Sequence, residues 1–146
     1  MTNSKINEAE IEITMRCNLN CEGCYKWDSR HIGRELSIDE WEKVIDNLKT
    51  CGIKLVNLIG GEPTVVPKID ELISYINSKP GIDYIFSTNG VIAEPILKKL
   101  LKAGLKNVIV SVDGIFDKNE IKEKKYEDRI YKSIVGLKLL HQLKKE

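Results

Sequence analysis

Met15-Arg16-Cys17-Asn18-Leu19-Asn20-Cys21-Glu22-Gly23-Cys24-Tyr25 decides how this chain is read. Three of the four cysteines fall within these residues, spaced C-x3-C-x2-C. Thiols set so closely do not all serve as core side chains; convergence on one point of a loop is what a metal or cluster requires. Residues 8–14, just before, alternate loosely, with Ala9, Ile11 and Ile13 apolar. That alternation predicts a β-strand delivering the cysteine loop at its C-terminal end.

A [4Fe–4S] cluster is held by Cys thiolates, usually four of them. This loop offers three, which leaves one iron with an open position. A second reading stays open, a structural Cys3His zinc site completed by His31. Cys51 stands beside Gly52 at an expected helix end; a small buried hydrophobe is the expectation there, against a fourth ligand or a reactive thiol. Residues 1–9 carry no apolar core of signal-peptide length, and no window approaches the roughly 20 apolar residues of a membrane span. A cytoplasmic protein with reduced thiols is therefore expected, which sets a disulfide framework aside. The net charge of +1 over 146 residues argues against a large nucleic-acid footprint.

Downstream, Ser37-Ile38-Asp39-Glu40 has the form of a capping box. Trp41, Val44, Ile45 and Leu48 follow at helical spacing, and Gly52 stops the helix. Residues 53–59 form a second strand ending in Gly60-Gly61-Glu62-Pro63. Pro67 suits the first turn of a helix that buries Ile69, Leu72, Ile73 and Ile76. After a Pro80-Gly81 turn, residues 82–87 form a third strand closed by Thr88-Asn89-Gly90. A helix from about Pro95 turns Ile96, Leu97, Leu100 and Leu101 inward and stops at Gly104. Residues 107–112 are a fourth strand, leading into Asp113-Gly114. A charged loop with the solvated lysine-rich run 118–125 precedes a last helix with Ile130, Ile134, Leu137 and Leu140 on one side. His141 on that helix is expected in solvent, Trp41 in the core or under the cysteine loop, and Trp27 in a loop.

Four strands alternating with four helices predict an α/β fold of parallel βαβ units with right-handed crossovers. In such folds the functional groups lie at the C-terminal ends of the strands. Every unusual cluster lies there, on one rim.

At this point the sequence resembles the radical S-adenosylmethionine (radical SAM) superfamily. Cys17-x3-Cys21-x2-Cys24 after the first strand and Gly60-Gly61-Glu62-Pro63 after the second carry the resemblance. Thr88-Asn89-Gly90 and Ser111-Val112-Asp113-Gly114, in the same order, support it. The resemblance implies that Cys17, Cys21 and Cys24 ligate a [4Fe–4S] cluster whose unique iron is chelated by S-adenosylmethionine. Reductive cleavage of that cofactor would give a 5′-deoxyadenosyl radical that abstracts hydrogen from a substrate. It also implies that Gly60 and Gly61 let the backbone approach the methionine moiety, and that Glu62, followed by Pro63, accepts a hydrogen bond from its ammonium. Ser87, Asn89, Ser111 and Asp113 would meet the ribose or the carboxylate. Gly23 departs from the family, in which the residue before the last cysteine is commonly aromatic; Tyr25 follows instead.

The resemblance further implies a small-molecule or peptide substrate, in peptide modification, cofactor biosynthesis or enzyme activation, and a flavodoxin- or ferredoxin-type electron donor. An eight-unit barrel takes about 250 residues, so this chain has room for four or five units, and the pattern shows four. The family core is a partial barrel of six. The expected fold is thus a partial parallel (β/α) TIM-like barrel in a single domain over residues 1–146. The expectation is a radical SAM enzyme with a truncated or partial domain, or one that a partner chain completes; the alternative is a truncated fragment that binds a cluster without turnover.

Overall fold

A parallel strand pattern without any reversal settles the architecture. In the computed structural model, which describes residues 6–21, 24, 33–112 and 124–143 (the side chains of 124–129 excepted), β1 (Glu8–Glu12), β2 (Leu55–Ile59), β3 (Asp83–Thr88) and β4 (Val108–Val110) lie side by side in chain order. All three pairings are parallel, with Glu10 opposite Asn57, Val56 opposite Tyr84, and Phe86 opposite Val108. Helices α1 (Ile38–Thr50), α2 (Ile69–Asn77), α3 (Glu94–Lys102) and α4 (Lys124–Leu143) fill the crossovers and the C-terminal end. Strand order that follows the chain, with crossovers of one hand, places the helices on one face, as in a barrel wall. A doubly wound sheet would reverse its order part-way. His31, Trp27, Gly23, Tyr25, Asp113, Gly114 and the side chains of the lysine-rich run lie outside the described residues.

The strands have two unlike faces because successive side chains alternate. Val56, Leu58, Tyr84 and Phe86 point to the helices and are fully buried, with Ile45, Leu72, Ile73, Leu97 and Leu100 packed onto them. The opposite face carries Glu8, Glu10 and Glu12 on β1, Asn57 on β2, and Ser87 on β3. There Asn57 donates to Glu10 (3.0 Å) and accepts from Ser87 Oγ (2.9 Å). This is the inner wall of the partial barrel, and Leu55, Ile59, Ile85 and Ile109 share it, so it mixes polar and apolar side chains.

Helix α1 starts where its capping box predicts. Ser37 Oγ accepts from Glu40 N at 3.3 Å, and Glu40 Oε2 accepts from Ser37 N at 2.9 Å. Arg34 adds a two-pronged contact to the same carboxylate, at 2.8 and 3.0 Å. Helix α2, however, begins at Ile69 behind a left-handed Lys68, not at Pro67. A 3-10 turn, Pro63–Val65, capped by the Glu62 side chain, occupies the connection instead. Thr88 ends β3 and does not belong to the turn after it. β4 is shorter than the strand expected over 107–112: Asn107, left-handed (φ 51), precedes it, and it ends at Val110. Ile96 is exposed, and so is Cys51, which caps α1 at the end of the sheet away from the rim. That position removes Cys51 from the cysteine loop. Trp41 is buried against the core, and His141 is exposed, as expected.

The largest departure is α4. Ile134 and Leu137, expected inward, are 39% and 49% exposed, and the buried positions are Ser133, Gly136 and Leu140. The cause is the closeness of the packing. A Cβ on Gly136 would stand 1.8 Å from the Gly90 carbonyl oxygen, so only a glycine lets α4 lie on the turn after β3. No helix among the described residues is long and apolar enough to cross a membrane.

The Arg34 contact, with the Ser37 backbone N–H behind it, holds the Glu40 carboxyl down to about 2. A folded value below the unfolded one, about 4.3, means that the box stabilises the fold above that range and is lost as pH falls toward 2. NMR titration should place the Glu40 midpoint near 2. Arg34→Ala should move it up toward the ordinary range, with part of the depression kept by Ser37.

Candidate functional site

Backbone geometry brings the first two strand ends together. The β1–β2 ladder continues past both strands through Ile13 N to Ile59 O (2.9 Å), Gly61 N to Thr14 O (2.7 Å) and Glu62 N to Arg16 O (2.8 Å). A Cβ on Gly60 would lie 2.4 Å from the Thr14 oxygen, and one on Gly61 would lie 2.1 Å from the Arg16 oxygen. The two glycines therefore serve first to let the chain that enters the cysteine loop lie on the end of β2. Gly60, at φ 146, also holds a backbone angle that side chains rarely adopt.

Glu62 is 0% exposed. Its Oε1 accepts from Thr64 N (3.1 Å), Thr64 Oγ1 (2.7 Å) and Thr88 Oγ1 (2.7 Å), and its Oε2 accepts from Asn89 N (2.7 Å). The carboxylate is thus a strut between the ends of β2 and β3. Pro63, buried beside it, opens the 3-10 turn with no N–H left unpaired.

From β3, Asn89 reaches the cysteine loop. Its Nδ2 donates to Asn18 Oδ1 at 2.8 Å and lies 3.8 Å from Cys17 Sγ. Asn18 in turn donates to Val91 O at 2.7 Å. Leu19 N donates to Cys17 Sγ at 3.3 Å. Cys24 N donates to Cys21 O at 3.3 Å, closing a turn that sets the last two cysteines together. The far side of the loop is tied down by Glu35, which accepts from Arg16 Nε (2.9 Å) and from Thr14 Oγ1. Burial pushes the Glu35 carboxyl up, but hydrogen bonds from Arg16 and Thr14 outweigh it and hold the group below its ordinary range.

The other expected positions are spread along the rim. Ser87 faces the inner wall through Asn57. Ser111 is exposed, with its backbone N–H on Thr88 O at 2.8 Å. All three cysteines of the loop are half-buried and free of disulfides. They share one loop, yet among the described residues no three metal-binding side chains are gathered into a ready-made set, so the convergence expected from spacing is not preformed. Thiolates of a small loop are drawn together by the ion they bind, because binding and local folding are coupled. The donor set fits such a ligand: two N–H groups aimed at Cys17 sulfur are what a thiolate accepts. Sequence reading missed Asn18, Glu35, Thr64 and Ser133. Only Thr64, a hydroxyl two residues past the carboxylate in the Gly-Gly-Glu-Pro turn, left a local signal.

Residues 11–145 match the family model described as the radical SAM superfamily. The chain belongs to the radical SAM superfamily. Its cofactors, on that membership, are a [4Fe–4S] cluster and S-adenosylmethionine, and its relatives are enzymes. A GTP 3′,8-cyclase of Chlorobaculum tepidum is 35% identical over 111 residues, which are 75% of this chain and 34% of the relative. An Fe-coproporphyrin III synthase of Methanosarcina barkeri is 38% identical over 110 residues, 74% of this chain and 27% of the relative. The chain spans about a third of the length of the curated relatives it matches. Among solved structures, Streptococcus suis SuiB bound to S-adenosylmethionine superposes with a TM-score of 0.63 at 26% identity, over 80% of this chain and 27% of that one. BtrN in complex with AdoMet and 2-DOIA gives 0.61 over 84% and 54%, at 20% identity, a likeness of fold.

Glu62→Gln tests the strut. The amide keeps one acceptor oxygen for the threonine donors but turns an N–H toward Asn89 N–H. Urea unfolding should show a loss of about 1–3 kcal/mol, with weaker iron uptake by the cysteine loop.

Proposed function

We propose that this chain is the cofactor-binding part of a radical SAM enzyme, with Cys17, Cys21 and Cys24 as cluster ligands and the rim around Gly60, Gly61 and Asn89 as the S-adenosylmethionine site. The observation that carries this reading is the seating of the cysteine loop on the Gly-Gly-Glu-Pro turn. When bound, the two cofactors supply the chemistry: one electron cleaves a carbon–sulfur bond to give methionine and a 5′-deoxyadenosyl radical that takes hydrogen from a substrate.

The chain's own residues bind and orient. Glu62 is enclosed by its four donors, so a methionine ammonium would meet the backbone from Gly60 to Glu62 and not that carboxylate. Pro63 stiffens the same turn. Ser111, and Asp113 beyond the described residues, remain the candidates for ribose or carboxylate contacts; Ser87, turned to the inner wall, suits a substrate-side contact. Arg16 and Glu35 fix the entry to the loop.

The substrate is an organic molecule or a peptide. A GTP 3′,8-cyclase matches 75% of this chain at 35% identity and an Fe-coproporphyrin III synthase 74% at 38%, so the similarity does not single out one substrate. On the described inner wall, Glu8, Glu10 and Glu12 line β1, and neither β2, β3 nor β4 adds a lysine or arginine. We read the β4 edge, with Ile109 49% exposed, as the place where further βα units, of this or another polypeptide, complete the wall. The electron donor is of the flavodoxin or ferredoxin type, in the cytoplasm, where thiols stay reduced.

The test is anaerobic reconstitution with iron and sulfide, then EPR of the reduced protein with and without S-adenosylmethionine and an assay for 5′-deoxyadenosine. The expected result is a [4Fe–4S]⁺ signal that changes on adding the cofactor, with deoxyadenosine formed. Cys17→Ala, Cys21→Ala and Cys24→Ala should each lose the cluster, and Cys51→Ala should keep it. A cluster that ignores the cofactor would leave only a cluster-binding fragment. Tightly bound zinc with no cluster would overturn the reading in favour of a structural metal site.

A further inference from the structure

Asn89 was expected to face the ribose or the carboxylate of the cofactor, but its side chain is already committed. Its Oδ1 accepts from Val91 N at 2.8 Å, which fixes the amide so that Nδ2 must point the other way. That nitrogen carries two protons and has two acceptors in reach, Asn18 Oδ1 at 2.8 Å and Cys17 Sγ at 3.8 Å. The backbone of the same residue is held from both sides. Asn89 N donates to the buried Glu62 carboxylate, and Asn89 O accepts from Ser133 Oγ of α4, each at 2.7 Å. Asn89 thus joins the end of β2, the cysteine loop and α4. Asn18, the competing acceptor, is pinned by its own bond to Val91 O.

We infer that Asn89 is a positioning residue for the cluster, whose side-chain N–H bonds the Cys17 sulfur and sets the reduction potential of the bound iron–sulfur centre. The inference rests on the proposed cluster-binding function. An N–H aimed at a ligand sulfur withdraws electron density from it. The reduced, more negative cluster is then favoured, and the potential rises. Hydrogen bonds to the sulfurs are among the factors that set cluster potentials, and partners behind the ligands orient them. The Glu62 and Ser133 contacts give this N–H a fixed direction.

Redox titration followed by EPR, without S-adenosylmethionine, reads the effect directly. Asn89→Asp keeps the acceptor for Val91 and the size of the side chain but offers sulfur no proton. Asn89→Ala removes both groups. The midpoint potential should fall in Asn89→Ala and fall further in Asn89→Asp, which adds a negative charge, while Cys51→Ala, at the α1 cap away from the loop, leaves it unchanged. Pulsed EPR of the reduced unsubstituted protein, grown with asparagine labelled at the side-chain nitrogen, should show a nitrogen coupling that Asn89→Ala abolishes. An unchanged potential in both Asn89 variants overturns the inference, even if cluster content drops, because that is the mark of a merely structural residue. If neither variant takes up a cluster, the coupling in the unsubstituted protein decides, and its absence overturns the inference. Failure of the unsubstituted protein to bind a cluster would instead bring down the underlying functional reading, and this inference with it.

Discussion

A single buried carboxylate organises the rim. Enclosing an ionised group costs several kcal/mol unless hydrogen bonds replace its water, and charge-assisted bonds are the strong kind. Glu62 meets that requirement with donors from its own turn and from the end of β3. The compensation works only if Thr64, Thr88 and Asn89 stand where they do. The group that is expensive to bury therefore fixes the relative positions of two strand ends. Asn89, whose N–H completes the set, is the residue that reaches on to Cys17. Disturbing the carboxylate would disturb the cysteine loop at one remove.

Glycine supplies the other half of the construction. The chain entering the cysteine loop lies so close to β2 that side chains at positions 60 and 61 would collide with backbone oxygens. The same solution recurs where α4 meets Gly90 through Gly136. Backbone-to-backbone contact is stiffer than contact through side chains, since no rotamer can yield. A loop that must present three thiols in a fixed relation to a strand end gains from that stiffness. On the open inner wall, by contrast, Glu10, Asn57 and Ser87 are linked through side-chain hydrogen bonds, in which rotamers can yield.

Much of this was legible in the sequence because period and motif are local. The strand and helix order, the capping box at Ser37 and the buried face of α2 follow from spacing alone. The cysteine loop and the glycine turn follow from residue types at fixed offsets. What was not legible depends on residues far apart in the chain. The enclosure of Glu62 was hidden because nothing near it in sequence announces Thr88 and Asn89 as donors. The apolar residues of α4 suggested Ile134 and Leu137 as its inner face, but the approach to Gly90 selects the small residues Ser133 and Gly136 instead. Cys51 read as buried by the habits of free cysteine, and its place at the α1 cap exposes it.

The division between the two faces of the sheet also explains why the family is plain while the substrate is not. The helix-covered face and the rim are fixed by packing and by a hydrogen-bond network that every cofactor-binding member of such a fold needs in some form. The inner wall is where a substrate would lie, with carboxylates on β1 and a mixture of polar and apolar groups on β2 and β3. Similar identity to a GTP 3′,8-cyclase and to an Fe-coproporphyrin III synthase is what that division produces. The cofactor rim constrains sequence in a way that the chemistry of the substrate does not. Specificity must then come from whatever faces Glu10, Asn57 and Ser87 across the unfilled half of the barrel.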